Sequence, residues 1–239
     1  MTDIFISDIH LSEEDNDLYG AFSRFIRQLD DSVERLYILG DLLEACIGDD
    51  KSKLSKKLAA EFQLLAKRKI RVFFQAGNRD FLVGKRFAQM ADIEILPDYY
   101  LYKGAEQQIL LMHGDLLCTD DTSYLRYRRV VHNPVIKRIF RLLPLFIRQK
   151  IGQKVRNKST KGKSKKRAEI MDVNQSAVVK TMEKYKVTCL IHGHTHRPAV
   201  HSFKNQESSY TRYVLGDWYD KLWWIKSDEN GISLHSEKI

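Results

Sequence analysis

Two rhythms of apolar residues run along the chain: short continuous runs, and longer stretches with an apolar residue every third or fourth position. Asp3-Ile4-Phe5-Ile6-Ser7 predicts a buried strand, and Arg35-Leu36-Tyr37-Ile38-Leu39 a second. Between them Leu18, Ala21, Phe22, Phe25, Ile26 and Leu29 recur at helical spacing, which predicts a helix over 17–29. Ser52 to Lys69 repeats that spacing, with Leu54, Leu58, Ala59, Phe62 and Leu65 on one stripe. Further strands are expected at Val72-Phe73-Phe74-Gln75, Ile109-Leu110-Leu111-Met112, Val187-Thr188-Cys189-Leu190-Ile191 and Tyr213-Val214-Leu215, with helices over 82–90 and from Asp172 or Asn174 to about Lys186. Alternating strands and helices predict a layered α/β fold, in which ligands gather beyond the carboxyl ends of the strands.

Chemistry-bearing residues stand at those ends. The first strand delivers Asp8-Ile9-His10, the second Gly40-Asp41, the third Gly77-Asn78-Arg79-Asp80, the fourth His113-Gly114-Asp115, and the fifth His192-Gly193-His194-Thr195-His196. A Gly-Asp pair alone is usually a turn, and a lone histidine is more often a satisfied core residue than a ligand. Their joint occurrence, with three histidines at alternate positions, points instead to a metal site of mixed nitrogen and oxygen donors. A divalent cation needs carboxylates for charge compensation, here Asp8 and Asp41, while neutral imidazoles and the Asn78 carbonyl add donors without excess negative charge. Such a set suits Mn²⁺, Fe²⁺ or Zn²⁺.

Charge changes the picture further. The net charge is +9, yet between Asp121 and Glu169 there is no acidic residue and there are sixteen Lys or Arg, leaving the remainder at −7. A basic block on an acidic body implies an anionic partner. Within the block Asn133-Pro134 reads as a helix start, followed by an apolar stripe of Ile136, Ile139, Phe140 and Leu143. Pro144 bends or restarts the chain, and a second stripe of Phe146, Ile147, Ile151 and Val155 is bordered by Arg148, Lys150, Lys154 and Arg156. Apolar stripes edged with positive charge describe a helical hairpin that covers the core and also lies on an anionic membrane. Cys46, Cys118 and Cys189 lack disulfide or metal spacing and fit a reducing compartment. No export leader is expected, and no apolar run approaches the ~20 residues that span a bilayer.

The ordered motifs at the five strand ends resemble the calcineurin-like metallophosphoesterase superfamily. That resemblance covers a core over 1–120 and 170–239 and implies a β-sandwich flanked by helices, into which the basic helical stretch over 121–169 is inserted as a lid. It also implies two divalent ions about 3.5–4 Å apart. Asp8, His10, Asp41 and His196 are expected to hold one, and Asp41, Asn78, His113 and His194 the other, with Asp41 bridging. His192 is expected to support the ligands, with Asp80, Asp115 and Asp217 behind them or in turns. Many relatives carry a histidine acid after the asparagine, whereas this chain has Arg79. Arginine cannot be a general acid near neutrality but can clamp phosphate, which favours a leaving group already stable as an anion. Diphosphate cleavage is therefore expected.

The longer phrases around Gly40 to Asp50, Glu169 to Asn174, His192 to His201 and Gly216-Asp217-Trp218-Tyr219 resemble, within the superfamily, the family that hydrolyses UDP-2,3-diacylglucosamine in lipid A biosynthesis. The resemblance implies attack at the α-phosphorus, Mn²⁺ as metal, and a peripheral enzyme at the cytoplasmic face of a bacterial inner membrane. Substrate contacts are expected from Asn78, Arg79, His194, Asp121 and Tyr124, and from Ser159, Lys163 and Lys166 in the lid, although a solvated Lys/Ser loop is the bland alternative for the lysines. Cys46 departs from the large aromatic residue common in that family. A monomer is expected, with no nucleic-acid partner. Two other readings compete: a nuclease-like phosphodiesterase whose basic block binds a nucleic-acid backbone, and a noncatalytic basic module. The aliphatic stripe, poor in stacking aromatics, weakens the first; the full set of ligand residues weakens the second.

Overall fold

The computed structural model describes residues 2–48, 52–104, 107–163, 172–205 and 208–239, with the side chains of 156–163 left aside. Lys166 thus lies outside the described residues, and Ser159 and Lys163 contribute backbone only. The elements are β1 (Thr2–Ile6), α1 (Asn16–Arg27), β2 (Val33–Leu39), α2 (Lys53–Lys67), β3 (Arg71–Gln75), α3 (Lys85–Ala91), β4 (Ile93–Leu96), β5 (Tyr100–Lys103), β6 (Gln108–Leu111), α4 (Thr122–Val131), α5 (Pro134–Leu142), α6 (Leu145–Lys163), α7 (Gln175–Tyr185), β7 (Cys189–His192), β8 (Ala199–Asn205), β9 (Ser208–Val214), β10 (Lys221–Asp228) and β11 (Gly231–Lys238).

These strands form two sheets, ordered β11-β10-β1-β2-β3-β4 and β5-β6-β7-β9-β8. The central strands are parallel: β1, β2, β3 and β4 in the first sheet and β6, β7 and β9 in the second. Period two distributes the core. Ile4, Ile6, Leu36, Ile38, Val72 and Phe74 face Phe22, Ile26, Leu58 and Phe62 of α1 and α2. The intervening Phe5, Tyr37, Leu39 and Phe73 face Ile109, Leu111, Cys189 and Ile191 of the other sheet. On the far side Leu110, Met112 and Leu190 pack on Val178 and Met182 of α7. Four layers result, helices over sheet over sheet over helix. Phe5, Tyr37 and Phe73 stack across three parallel strands with centroids 5.0 and 4.7 Å apart, each pair contributing about 0.5–1.5 kcal/mol beyond burial.

Asn174, rather than Asp172, caps α7 by accepting from the Ser176 and Ala177 amides. The helix expected from Leu82 begins only at Lys85, because Val83 N–H closes a turn on the Asp80 carbonyl and Gly84 enters in extended conformation. The hairpin starts as expected, with Asn133 accepting from Val135 and Ile136 and Pro134 in the first turn. An unpredicted helix, α4, precedes it.

Three arginines of the basic block bind it to the core. Arg128 donates to Asp115 (2.5 Å) and Asp98 (3.0 Å), Arg141 to the Leu82 carbonyl (3.0 Å), and Arg148 to the carbonyls of Leu143 and Ile47 (3.0 Å each). Arg148, expected at the polar border of the stripe, is instead buried, because Leu143 ends its helix with an open carbonyl to satisfy. Val135, Ile139, Leu142 and Phe146 remain exposed, Leu142 to 78%. Among the described residues no helix is long and apolar enough to cross a membrane.

Candidate metal centre

The loops that follow β1, β2, β3, β6 and β7 converge at one end of the sandwich. Five of the expected ligands, Asp8, His10, Asp41, His194 and His196, have positive φ between 53° and 70°. That region is sparsely populated by residues with a Cβ, and its concentration here marks a backbone held for function. Glycines make the approach possible. A Cβ on Gly193 would lie 2.1 Å from Asp8 Oδ2 and from Ser7 Oγ, and one on Gly77 would lie 2.2 Å from Asp41 Oδ1.

Two trios of potential ligand atoms form: Asp8, His10 and His196, and Asp8, Asp41 and His113. In the first, His10 Nε2 and His196 Nε2 face each other at 3.4 Å, with Asp8 Oδ1 3.4 Å from the latter. The other face of His196 is fixed by Asp217, whose Oδ2 lies 3.0 Å from Nδ1. In the second, His113 Nδ1 donates to the Leu39 carbonyl at 2.8 Å. Its Nε2 then presents a lone pair to Asn78 Oδ1 (3.0 Å), His194 Nδ1 (3.2 Å) and Asp41 Oδ1 (3.8 Å). The seven expected ligands are thus brought together, although Asp8 is the residue common to both trios and Asp41 belongs to the second alone.

The donor chemistry fits divalent metal. Nitrogen and oxygen lone pairs point at one another, and Asp8 Oδ1 and His10 Nδ1 are buried without a hydrogen bond among the described residues. A divalent cation placed between such groups would satisfy them. Burial pushes the Asp41 carboxyl up to about 7, with Asp80 and Asp8 adding to it and His113 opposing. Burial would also raise Asp8, but His196, His113 and His10 outweigh it and hold Asp8 below the ordinary carboxylate range. Burial lowers His10 to about 3, helped by Arg79, and lowers His194 to about 3, helped by His113. Both imidazoles are neutral and ready to coordinate. His196 goes the other way, to about 9, because Asp217 and Asp8 overcome its burial.

Around the trios the chain supplies supports. Asp8 Oδ2 accepts from Ser7 Oγ (2.6 Å) and from the His194 amide (2.8 Å). Asp80 accepts from the Gly77 and Leu42 amides at 2.8 Å each, holding the β2 and β3 loops in register. His192 lies behind the site, between the Gly193 carbonyl and Arg212. Arg79 pairs with Glu44, and its Nε lies 3.6 Å from Asp41 Oδ2. Glu44 Oε2 also lies 3.7 Å from His10 Nδ1. Neither Glu44 nor Ser7 was singled out from sequence; Glu44, a carboxylate three residues beyond Asp41, was the readable signal. Cys46 donates its amide to the Arg79 carbonyl at 3.1 Å, so it sits against the same loop.

The expected sugar contacts are partly engaged within the protein. Asp121 caps α4 by accepting from the Tyr124 amide at 3.0 Å. The Tyr124 hydroxyl donates to Asp115, and its ring lies over His194 with centroids 6.3 Å apart. Tyr124 therefore faces the metal centre with its ring.

The chain belongs to the calcineurin-like phosphoesterase family, whose sequence profile matches residues 1–198. Its relatives within that family carry the name UDP-2,3-diacylglucosamine hydrolase. The protein of that name from Tolumonas auensis is 45% identical over 100% of this chain and 98% of its own length. Those from Pectobacterium carotovorum and Haemophilus influenzae are 46% and 44% identical, over 99% and 95% of this chain and 99% and 95% of their own. Among solved structures an archaeal phosphodiesterase aligns over the whole of both chains with a TM-score of 0.50 at 12% identity, a likeness of fold alone.

Proposed function

We propose that this protein is a binuclear-metal diphosphatase that cleaves UDP-2,3-diacylglucosamine at the α-phosphorus, releasing UMP and 2,3-diacylglucosamine 1-phosphate for lipid A biosynthesis. The observation that carries this reading is the full-length likeness, 45% identity over 100% of the chain, to hydrolases named for that substrate. Asp8, His10, Asp41 and His196 would hold one ion and Asp41, Asn78, His113 and His194 the other, with Asp41 serving both. Bound there, two divalent ions, Mn²⁺ in our reading, would supply Lewis acidity and lower the pKa of the attacking water.

The remaining steps belong to the chain's own side chains. Asp217 and the Leu39 carbonyl fix the His196 and His113 rings so that their Nε2 lone pairs face inward. Glu44 places the Arg79 guanidinium beside Asp41, where it donates to oxygens of the departing phosphate. Because that phosphate leaves as an anion, no proton need be delivered to it. Asn78 and His194 also touch the substrate, Asp121 and Tyr124 border the glucosamine, and Ser159, Lys163 and Lys166 meet it from the lid over 121–169. The exposed apolar stripe and surrounding cations seat the monomeric protein on the anionic cytoplasmic face of the inner membrane; nucleic acid is not a partner.

The test is substrate choice. Metal-loaded protein is given UDP-2,3-diacylglucosamine, a simple alkyl phosphomonoester and a short nucleic acid. Turnover of the nucleotide lipid at least 100-fold above the others is expected; equal turnover of the alkyl ester contradicts the role of Arg79. Cleavage of the nucleic acid alone would reassign the basic lid to another polyanion.

A further inference from the structure

A cavity of about 210 Å³ opens beside the His194-Thr195-His196 loop and is lined by Asp172, Thr195, Arg197, His201 and Arg212. Arg212 stands on β9 opposite Leu190 of β7 and is only 7% exposed. One end of its guanidinium meets His192, with Nη1 3.1 Å from Nε2. Its Nε is buried with no hydrogen-bond partner among the described residues. A buried guanidinium that keeps a donor open is a costly arrangement unless an acceptor arrives to meet it. The acid that lines the cavity, Asp172, is already paired with Arg197. The cavity is therefore rich in donors and asks for an acceptor-rich group.

Topology says which group. The lid is tied to the core at Ile47, Leu82, Asp98 and Asp115, which follow β2, β3, β4 and β6. The cavity is built from β8, β9 and the loop after β7. In the second sheet β6 lies on one side of β7, and β9 then β8 lie on the other. The apolar lid and the cationic cavity thus flank the loop that carries His194 and His196. A substrate with a lipid on one side of a diphosphate and a nucleotide on the other has the same polarity. Arg79, on the lid side after β3, falls to the phosphate that stays with the lipid.

We infer that the cavity between Arg197 and Arg212 is the subsite for the nucleotide half of the substrate, with Arg212 Nε and the Arg197 guanidinium donating to its phosphate or ring-carbonyl oxygens. This rests on the diphosphatase reading above. Arg212 acts there as a binding and positioning group, and bonds neither made nor broken in the reaction are assigned to it.

The test uses the two products as separate inhibitors, UMP for one half and 2,3-diacylglucosamine 1-phosphate for the other. Metal-loaded wild type is compared with Arg197→Ala and Arg212→Gln. Inhibition by UMP weakened 10-fold or more, with inhibition by the lipid phosphate within twofold of wild type and KM raised more than kcat is lowered, is the expected result. Because Arg212 is buried and its replacement can unfold the protein, the half-exposed Arg197 decides in that event. Wild type that releases UMP while the variants keep their UMP inhibition, or lose both inhibitions equally, overturns the subsite and leaves the diphosphatase reading intact. Wild type that releases no UMP defeats that reading first and this one with it.

Discussion

The guanidinium of Arg79 is paired with the carboxylate of Glu44, three residues beyond Asp41 on the neighbouring loop. Arg79 Nε also lies 3.6 Å from Asp41 Oδ2, so one cation is held between a supporting carboxylate and a candidate metal ligand. Preorganised donors aimed at a phosphoryl group are worth roughly 10²–10³ in rate. Arg79→Ala is expected to lower kcat/KM on the lipid nucleotide by that factor. Glu44→Gln, which leaves Arg79 in place but less firmly aimed, should lower it by about 10-fold. Steady-state kinetics at saturating metal measure both; an unchanged Arg79→Ala removes the phosphate-clamp role.

Metal content follows the two trios. Asp41 serves both proposed ions, so Asp41→Ala is expected to lose bound metal at both positions in elemental analysis of dialysed protein. Asp8→Ala, which removes a ligand of one proposed ion from a residue common to both trios, should lose it chiefly at one. His196→Ala should lose metal chiefly at one. Asp217→Asn keeps every ligand but weakens the fixation of His196, and should reduce affinity by about 10–100-fold. Equal metal content in Asp8→Ala and wild type would show that the trios are not the site.

Gly193 offers a test by close approach. An added methyl would meet Asp8 Oδ2 and Ser7 Oγ at 2.1 Å, so the carboxylate must swing away. Gly193→Ala is expected to lose activity by more than about 100-fold, since ligand displacement of ~1 Å already costs that much. A variant with full activity and normal metal content would contradict the packing described.

Far from the site, Glu61 of α2 accepts from Ser23 and Arg27 of α1 at 2.7–2.9 Å. Burial would raise its carboxyl, but the hydrogen bonds from Arg27 and Ser23 prevail and hold it below its usual value. A depressed folded-state value means the contribution is full above the unfolded-state value and is lost as pH falls through the folded one. Thermal melting of Glu61→Gln against wild type should therefore show a gap of a few degrees at pH 7 that closes in acid. A gap that widened in acid would reverse the sign.

The lid stripe carries its own test. Leu142 is 78% exposed and Ile139 55%, and Ile139→Glu with Leu142→Glu should cut co-sedimentation with anionic vesicles several-fold. Undiminished binding would move the membrane contact elsewhere.

The strands that carry the candidate ligands were legible because each is a short, mostly buried apolar run, followed at β2, β3, β6 and β7 by a glycine beside a polar residue and at β1 by Asp8 and His10. Those that frame them were not. β8, Ala199–Asn205, lies at a sheet edge with most side chains half-buried or exposed, so its alternation is weak. β10 and β11 close the first sheet as a hairpin with mixed burial. In α4 charge hid the helix, and Arg128, read as part of a basic surface, is buried on Asp115 and Asp98. The candidate ligand types were readable from spacing, but the left-handed backbone at Asp8, His10 and Asp41 was not, since aspartate and histidine enter that region more readily than most residues and do so in ordinary turns as well. Glu44 and Ser7 escaped for a related reason: their partners are distant in sequence or trivially adjacent.

The most direct measurement is product analysis in ¹⁸O-labelled water. Metal-stripped protein is incubated with UDP-2,3-diacylglucosamine with and without Mn²⁺, alongside Asp41→Ala. The account predicts UMP formed only with metal, absent in the variant, and carrying the label on its phosphate. Label on the 2,3-diacylglucosamine 1-phosphate, or UMP formed equally without metal, would contradict it.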